Sequence, residues 1–131
     1  METEPLVLLV DDDSNARTGY AELLEGGGFR VMVAGTARDA LARCQERAPD
    51  VVVTDISLPD VDGFELAADL RCQAALREIP ILAMTAYWAT DVHQRAKRAG
   101  ITAVLAKPCQ PDHLIAELRR VLRSSTVPPG D

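Results

Sequence analysis

The chain has 131 residues, 47% of them hydrophobic and 26% charged, with a formal net charge of −6. That length fits one domain with a real core, and the acidic balance argues against direct nucleic-acid binding. No apolar run approaches the roughly 20 residues that span a bilayer. The acidic start Met1-Glu2-Thr3-Glu4-Pro5 lacks the features of a signal peptide, and Cys44, Cys72 and Cys109 are odd in number without CxxC spacing, so reduced thiols in a cytoplasm are expected.

Leu6-Val7-Leu8-Leu9-Val10 is short and wholly apolar, as a strand buried on both faces requires, and it stops at Asp11-Asp12-Asp13. Ser14 offers an N-cap for a helix carrying Tyr20, Leu23 and Leu24 at helical spacing, and Gly26-Gly27-Gly28 ends it through a left-handed cap. Residues 29–34 predict a second strand, and Thr36 caps a helix with Ala37, Ala40, Leu41, Cys44 and Ala48 inward, closed by Pro49. Val51-Val52-Val53-Thr54-Asp55 is a β-branched run ending on a carboxylate, followed by the loop Ile56-Ser57-Leu58-Pro59-Asp60-Val61-Asp62. Gly63 leads into a helix with Phe64, Ala67 and Leu70 inward. Residues 80–84 predict a fourth strand ending at Thr85-Ala86, and Thr90 or Asp91 caps a short helix facing inward through Val92, Ala96 and Ala99 until Gly100. Residues 101–106 predict a fifth strand ending at Lys107-Pro108, and Pro111 opens the most regular amphipathic helix, with Leu114, Ile115, Leu118, Val121 and Leu122 on one stripe. The domain is placed at residues 1–123, with 124–131 as a flexible tail or the start of a linker.

Strand and helix alternate five times. Such alternation predicts an α/β fold with a doubly wound parallel sheet and helices on both faces. In a parallel sheet all strands end on the same rim, so Asp11, Asp12, Asp55, Thr85 and Lys107 are expected to meet there despite their separation in sequence. Clustered carboxylates repel, and a cation relieves them; oxygen ligands with few protein donors suit Mg²⁺. A divalent ion, a lysine and a hydroxyl around one carboxylate suit phosphoryl transfer, with the carboxylate itself as nucleophile. Each residue alone has an ordinary structural explanation, capping for an aspartate at a strand end and solvation for a lysine. Their joint placement at the ends of different strands is what points to a site.

From about Leu6 to Leu122 the sequence resembles the receiver domain of two-component response regulators. The motifs are Val10-Asp11-Asp12, Asp55 with Pro59 and Asp62-Gly63, Thr85-Ala86, and Lys107-Pro108. The resemblance implies a flavodoxin-like sheet of five strands in the order 2-1-3-4-5. It also implies that Asp55 is the phosphoacceptor, taking its group from a sensor histidine kinase or histidine phosphotransfer protein. Asp12 would be the direct Mg²⁺ ligand, Asp11 would bind through water or at the edge of the shell, and Asp55 and the Ser57 carbonyl would complete the set. Lys107, the Thr85 hydroxyl and the Ala86 N–H would meet the phosphoryl oxygens, and the Lys107–Pro108 bond would be cis. The fourth helix, fifth strand and fifth helix would form a face for an output domain, a downstream protein or a second copy.

One position departs from the family pattern. Val104 stands three residues before the lysine, where the family usually carries an aromatic ring that rotates on activation. The adjacent Tyr87 and Trp88 are expected to take over that role, or else to pack against the fourth helix; Tyr87 would also shield an acyl phosphate from water. Cys109 is read as structural, and His93 and His113 as surface residues without catalytic company. The leading function is a phosphorylation-controlled signalling switch, able to gain and lose its own phosphoryl group but without an external substrate. The second is an Mg²⁺-dependent aspartate-nucleophile phosphohydrolase, disfavoured because such enzymes carry the nucleophile on the first strand. The third is a receiver-like binding module without phosphate, disfavoured by the complete set Asp12, Asp55, Thr85 and Lys107.

Overall fold

The computed structural model describes residues 4–86 and 90–125. Five strands, β1 (Leu6–Val10), β2 (Arg30–Ala34), β3 (Val51–Asp55), β4 (Ile81–Thr85) and β5 (Ala103–Ala106), form one sheet in the order β2-β1-β3-β4-β5. Every pairing is parallel. Five helices alternate with them: α1 (Ser14–Gly26), α2 (Ala37–Glu46), α3 (Gly63–Arg71), α4 (Val92–Ala99) and α5 (Pro111–Ser125). The expected class and strand order are the observed ones.

Side-chain alternation divides the core in two. Leu8, Val10, Val52, Ile81 and Ala83 face one way, against Ala37, Ala40 and Cys44 of α2, Phe64, Leu66 and Leu70 of α3, and Val92 and Ala96 of α4. Val7, Leu9, Val51, Val53, Leu82 and Met84 face the other way, against Leu24 of α1 and Leu114, Leu118 and Val121 of α5. Strands covered on both faces need apolar residues at consecutive positions, which is why β1 and most of β3 and β4 carry no alternation in polarity.

Several element ends differ from the sequence expectation. The cap of α1 is Asp13, whose carboxylate accepts from the Asn15 and Ala16 amides at 2.9 and 3.2 Å; Ser14 is already helical. The left-handed residue after α1 is Gly28, with φ of 96°, one past the cap Gly27. Leu23 is 39% exposed rather than inward. Helix α2 stops at Glu46, leaving Ala48 exposed, since Pro49 disfavours helical geometry at the residue before it. Thr36 does cap α2, accepting from the Asp39 amide at 3.0 Å. Asp91 sits at the N-cap of α4, but its side chain makes no capping bond. Strand β2 starts at Arg30 and β5 at Ala103, one and two residues later than expected. Helix α5 runs to Ser125, into the stretch read as a tail.

A short 3-10 turn, Ala74–Leu76, follows α3 and has no periodic signature. Arg71 organises this region by donating to the carbonyls of Leu76, Arg77 and Ile79 and, across to the end of α4, to that of Gly100. Burial lowers the Arg71 pKa. Gly100, with φ of 84°, ends α4 as expected.

Gly63 controls the distance between α3 and the end of β3. A Cβ there would lie 2.6 Å from the Asp55 carbonyl oxygen and 2.9 Å from Ile56 Cα, both backbone atoms that cannot swing aside. Gly63→Ala is therefore expected to destabilise the fold by about 1–3 kcal/mol, as overpacked sites do, seen as a lower urea midpoint at unchanged slope.

Candidate functional site

The strand ends deliver their polar residues to one rim. Asp11 follows β1 and is fully buried, Asp55 closes β3 with 9% exposure, Thr85 closes β4 with 2%, and Lys107 follows β5. Asp12 is exposed and reaches the same place: Asp11, Asp12 and Asp55 each offer a carboxylate oxygen within 4.8 Å of the others. The Lys107 ammonium lies between two of these acids, with Nζ 2.5 Å from Asp11 Oδ2 and 2.9 Å from Asp55 Oδ2. Its backbone amide donates to the Thr85 carbonyl at 2.9 Å, so the ladder between β4 and β5 is still closed where the lysine departs. The Lys107–Pro108 peptide is cis.

The acids differ in how they are held. Asp11 donates its amide to the Ala34 carbonyl at 3.0 Å, its Oδ1 accepts from the Asp13 amide at 2.9 Å, and its Oδ2 takes Lys107. Asp55 Oδ1 accepts from the Ser57 amide at 3.2 Å, while the Thr54 hydroxyl donates to the Asp55 carbonyl at 2.9 Å. Desolvation works against the charge on Lys107, but hydrogen bonds and charge from Asp11 and Asp55 outweigh it and raise its pKa above 10.5. Three carboxylates against one ammonium leave the cluster short of positive charge. The donors are all hard oxygens, so the residues present fit a hard divalent cation.

A cavity of about 600 Å³ opens beside this cluster, lined by Asp55, Ser57, Ala86, Lys107, Pro108 and Tyr20 among others. The site residues expected from sequence therefore share one place: Asp11, Asp12, Asp55 and Lys107 through their charged groups, Ser57 and Ala86 along the cavity, and Thr85 through the strand end beside them. Tyr87 and Trp88 lie outside the described residues. Val104 is half-buried and packs against the α2–α3–α4 side of the core. Cys109 is buried, its amide donates to the Tyr20 hydroxyl at 3.3 Å, and burial raises its thiol pKa. His93 and His113 are exposed on α4 and α5.

Residues 7–119 match the family model of the response regulator receiver domain. The chain belongs to that family. It is 36% identical over 121 residues to the response regulator Rre1 of Synechocystis, covering 91% of this chain and 52% of that one. It is 42% identical over 118 residues to the sensor histidine kinase AruS of Pseudomonas aeruginosa, covering 88% of this chain and 11% of the kinase. The chain thus spans about half of one of these relatives and a small part of the other. Among solved structures, the chemotaxis response regulator CheY4 of Vibrio cholerae superposes with a TM-score of 0.86 at 34% identity, covering 91% of this chain and 99% of that one. Receiver domains are phosphorylation-controlled signalling switches that take phosphate from histidine kinases. No helix among the described residues is long and apolar enough to cross a membrane.

Sequence reasoning gave no role to Asp60. Its two carboxylate oxygens accept from the Ala37 and Arg38 amides at 3.0 and 2.9 Å, which ties the loop after Asp55 to the start of α2 and lowers the Asp60 pKa below 3.8. A cap supplied from another element leaves no local pattern to read.

Removing the shared cation should expose the repulsion it masks. Lys107→Met is expected to cost about 2 kcal/mol, less than the ~3–5 of a fully buried pair because Lys107 keeps 18% exposure. The sign with pH follows from a raised lysine pKa: its contribution is fully present below 10.5 and is lost as pH rises through the higher folded value. Urea melts of the parent and Lys107→Met should therefore differ at neutral pH and converge in strong alkali.

Proposed function

We propose that this receiver domain is switched by transfer of a phosphoryl group onto Asp55. The observation that carries the reading is the Lys107 ammonium held between the Asp11 and Asp55 carboxylates, at 2.5 and 2.9 Å, at the open end of the sheet. An Asp55 oxygen forms the new bond to phosphorus as the bond from phosphorus to the histidine nitrogen of the donor breaks. The imidazole leaves with the electron pair, and the product is an acyl phosphate. Lys107 turns its charge to the transferred group, and the Thr85 hydroxyl and Ala86 N–H donate to its oxygens. Asp11, Asp12, Asp55 and the Ser57 carbonyl would hold Mg²⁺, whose charge offsets that of the phosphoryl oxygens when bound.

The immediate partner is a sensor histidine kinase or a histidine phosphotransfer protein. The face built from α4, β5 and α5 would pass the signal to an output domain, a downstream protein or a second copy of the chain. The proposed domain, placed at residues 1–123 from sequence, extends to the end of α5 at Ser125, with the residues after it as tail or linker. A cytoplasmic setting agrees with Cys44, Cys72 and Cys109, which are all free thiols.

Intact-mass spectrometry after incubation with acetyl phosphate and Mg²⁺ tests the assignment. One phosphoryl group should be added to the parent and none to Asp55→Asn, and EDTA should suppress the addition. The switch reading also expects no multiple turnover of p-nitrophenyl phosphate. Sustained turnover that depends on Asp55 would favour the phosphohydrolase instead.

A further inference from the structure

Arg17 lies on α1, one turn past the acidic cluster, and has no part in the phosphoryl chemistry described above. Its Nη1 donates to the Asp11 carbonyl oxygen at 2.7 Å. The side chain reaches that carbonyl by crossing the backbone at Gly35, just after β2. A Cβ at residue 35 would lie 3.0 Å from Nη1 and 3.8 Å from Cζ of the same guanidinium. A methyl at residue 35 would press on the guanidinium, which would have to give by a few tenths of an ångström.

The peptide between Asp11 and Asp12 carries the exposed acid of the cluster. On its Asp11 side the amide is fixed by Ala34 and the carboxylate by Asp13 and Lys107. The carbonyl belongs to the peptide plane leading into Asp12, and Arg17 is what holds it. This bond goes to a carbonyl and leaves the exposed Asp12 carboxylate to an incoming cation. A guanidinium donor to a carbonyl fixes a plane more firmly than an exposed loop does unaided. Outer partners that orient metal ligands commonly alter affinity tenfold or more without touching the metal.

We propose that Arg17 and Gly35 act as one unit that positions the Asp11–Asp12 turn for a divalent cation, with Arg17 as a positioning residue and Gly35 as the clearance it needs. The inference rests on the metal reading given under the proposed function. It predicts that loss of the guanidinium and obstruction of its seat have the same consequence, and that the second does nothing once the first has occurred.

Titration of the full chain with MgCl₂, followed by backbone amide NMR shifts near residues 11–13, measures the affinity without any phosphoryl transfer. Arg17→Ala should weaken Mg²⁺ binding by about tenfold, with far-UV circular dichroism in EDTA unchanged. Gly35→Ala should cause a smaller loss. The double variant should bind no more weakly than Arg17→Ala alone, because the added methyl then occupies vacated space. Parental affinity in Arg17→Ala, or a Gly35→Ala loss that persists in full beside it, overturns the proposal. Should Arg17→Ala not fold, Gly35→Ala decides alone, and parental affinity there overturns it. A parent chain that binds no Mg²⁺ overturns the metal reading itself, and that result is distinct from a parent that binds while its variants match it.

Discussion

The ammonium of Lys107 between two carboxylates is the interaction on which the site depends. Asp11 and Asp55 end neighbouring strands, β1 and β3, whereas Lys107 follows β5, three strand positions from β1 in the sheet order. Strands about 4.8 Å apart put β5 and β1 roughly 14 Å from each other, farther than a lysine side chain extends. Lys107 is still paired to β4 through its amide, so its side chain reaches across β4 and the aspartate side chains cover part of the gap. The sheet brings the groups to one end, and the side chains close the remaining distance. Without that ammonium the buried Asp11 and the nearly buried Asp55 would face each other with their repulsion uncompensated.

A gradient of burial across the three acids divides their work. Asp11 is fully enclosed, and its amide, carbonyl and both carboxylate oxygens are engaged by Ala34, Arg17, Asp13 and Lys107. An acid held in this way is a fixed part of the frame, since a buried charge is tolerable only when its partners are complete. Asp12 is exposed and one peptide away, where a ligand can reach it without a desolvation cost. Asp55 stands between these extremes, tethered through both oxygens yet lining an open cavity. The inner acid thus supplies rigidity and the outer two supply access.

Much of this was legible in the chain. Consecutive apolar residues in β1, β3 and β4 require cover on both faces, and a carboxylate or hydroxyl ending such a run marks the rim. The convergence of Asp11, Asp55, Thr85 and Lys107 followed from parallel topology alone. Other features depend on partners distant in sequence. Asp13 rather than Ser14 caps α1, a choice between neighbours that composition leaves open. Leu23 has helical spacing but falls at the edge of the buried stripe, so periodicity placed it inward while geometry left it out. Arg71 supplies its donors to carbonyls on two separate loops, and no spacing rule encodes such a contact.

Arg17 and Asp60, which sequence left without a role, share a physical character with Gly63, which it placed only at the start of α3. Arg17, Asp60 and Gly63 each act on backbone: Arg17 on the Asp11 carbonyl, Asp60 on the amides that open α2, and Gly63 by leaving room beside the Asp55 carbonyl. Pattern reading finds groups by chemical type, and backbone groups are the same at every position. A charged site at strand ends needs its main chain fixed before its side chains can be aimed, because the ladder stops there. Holding the chain there from α1, from the start of α2 and through close approach to α3 gives the rim the rigidity of the sheet. The acids are then held in fixed positions around the Lys107 ammonium, which offsets their repulsion.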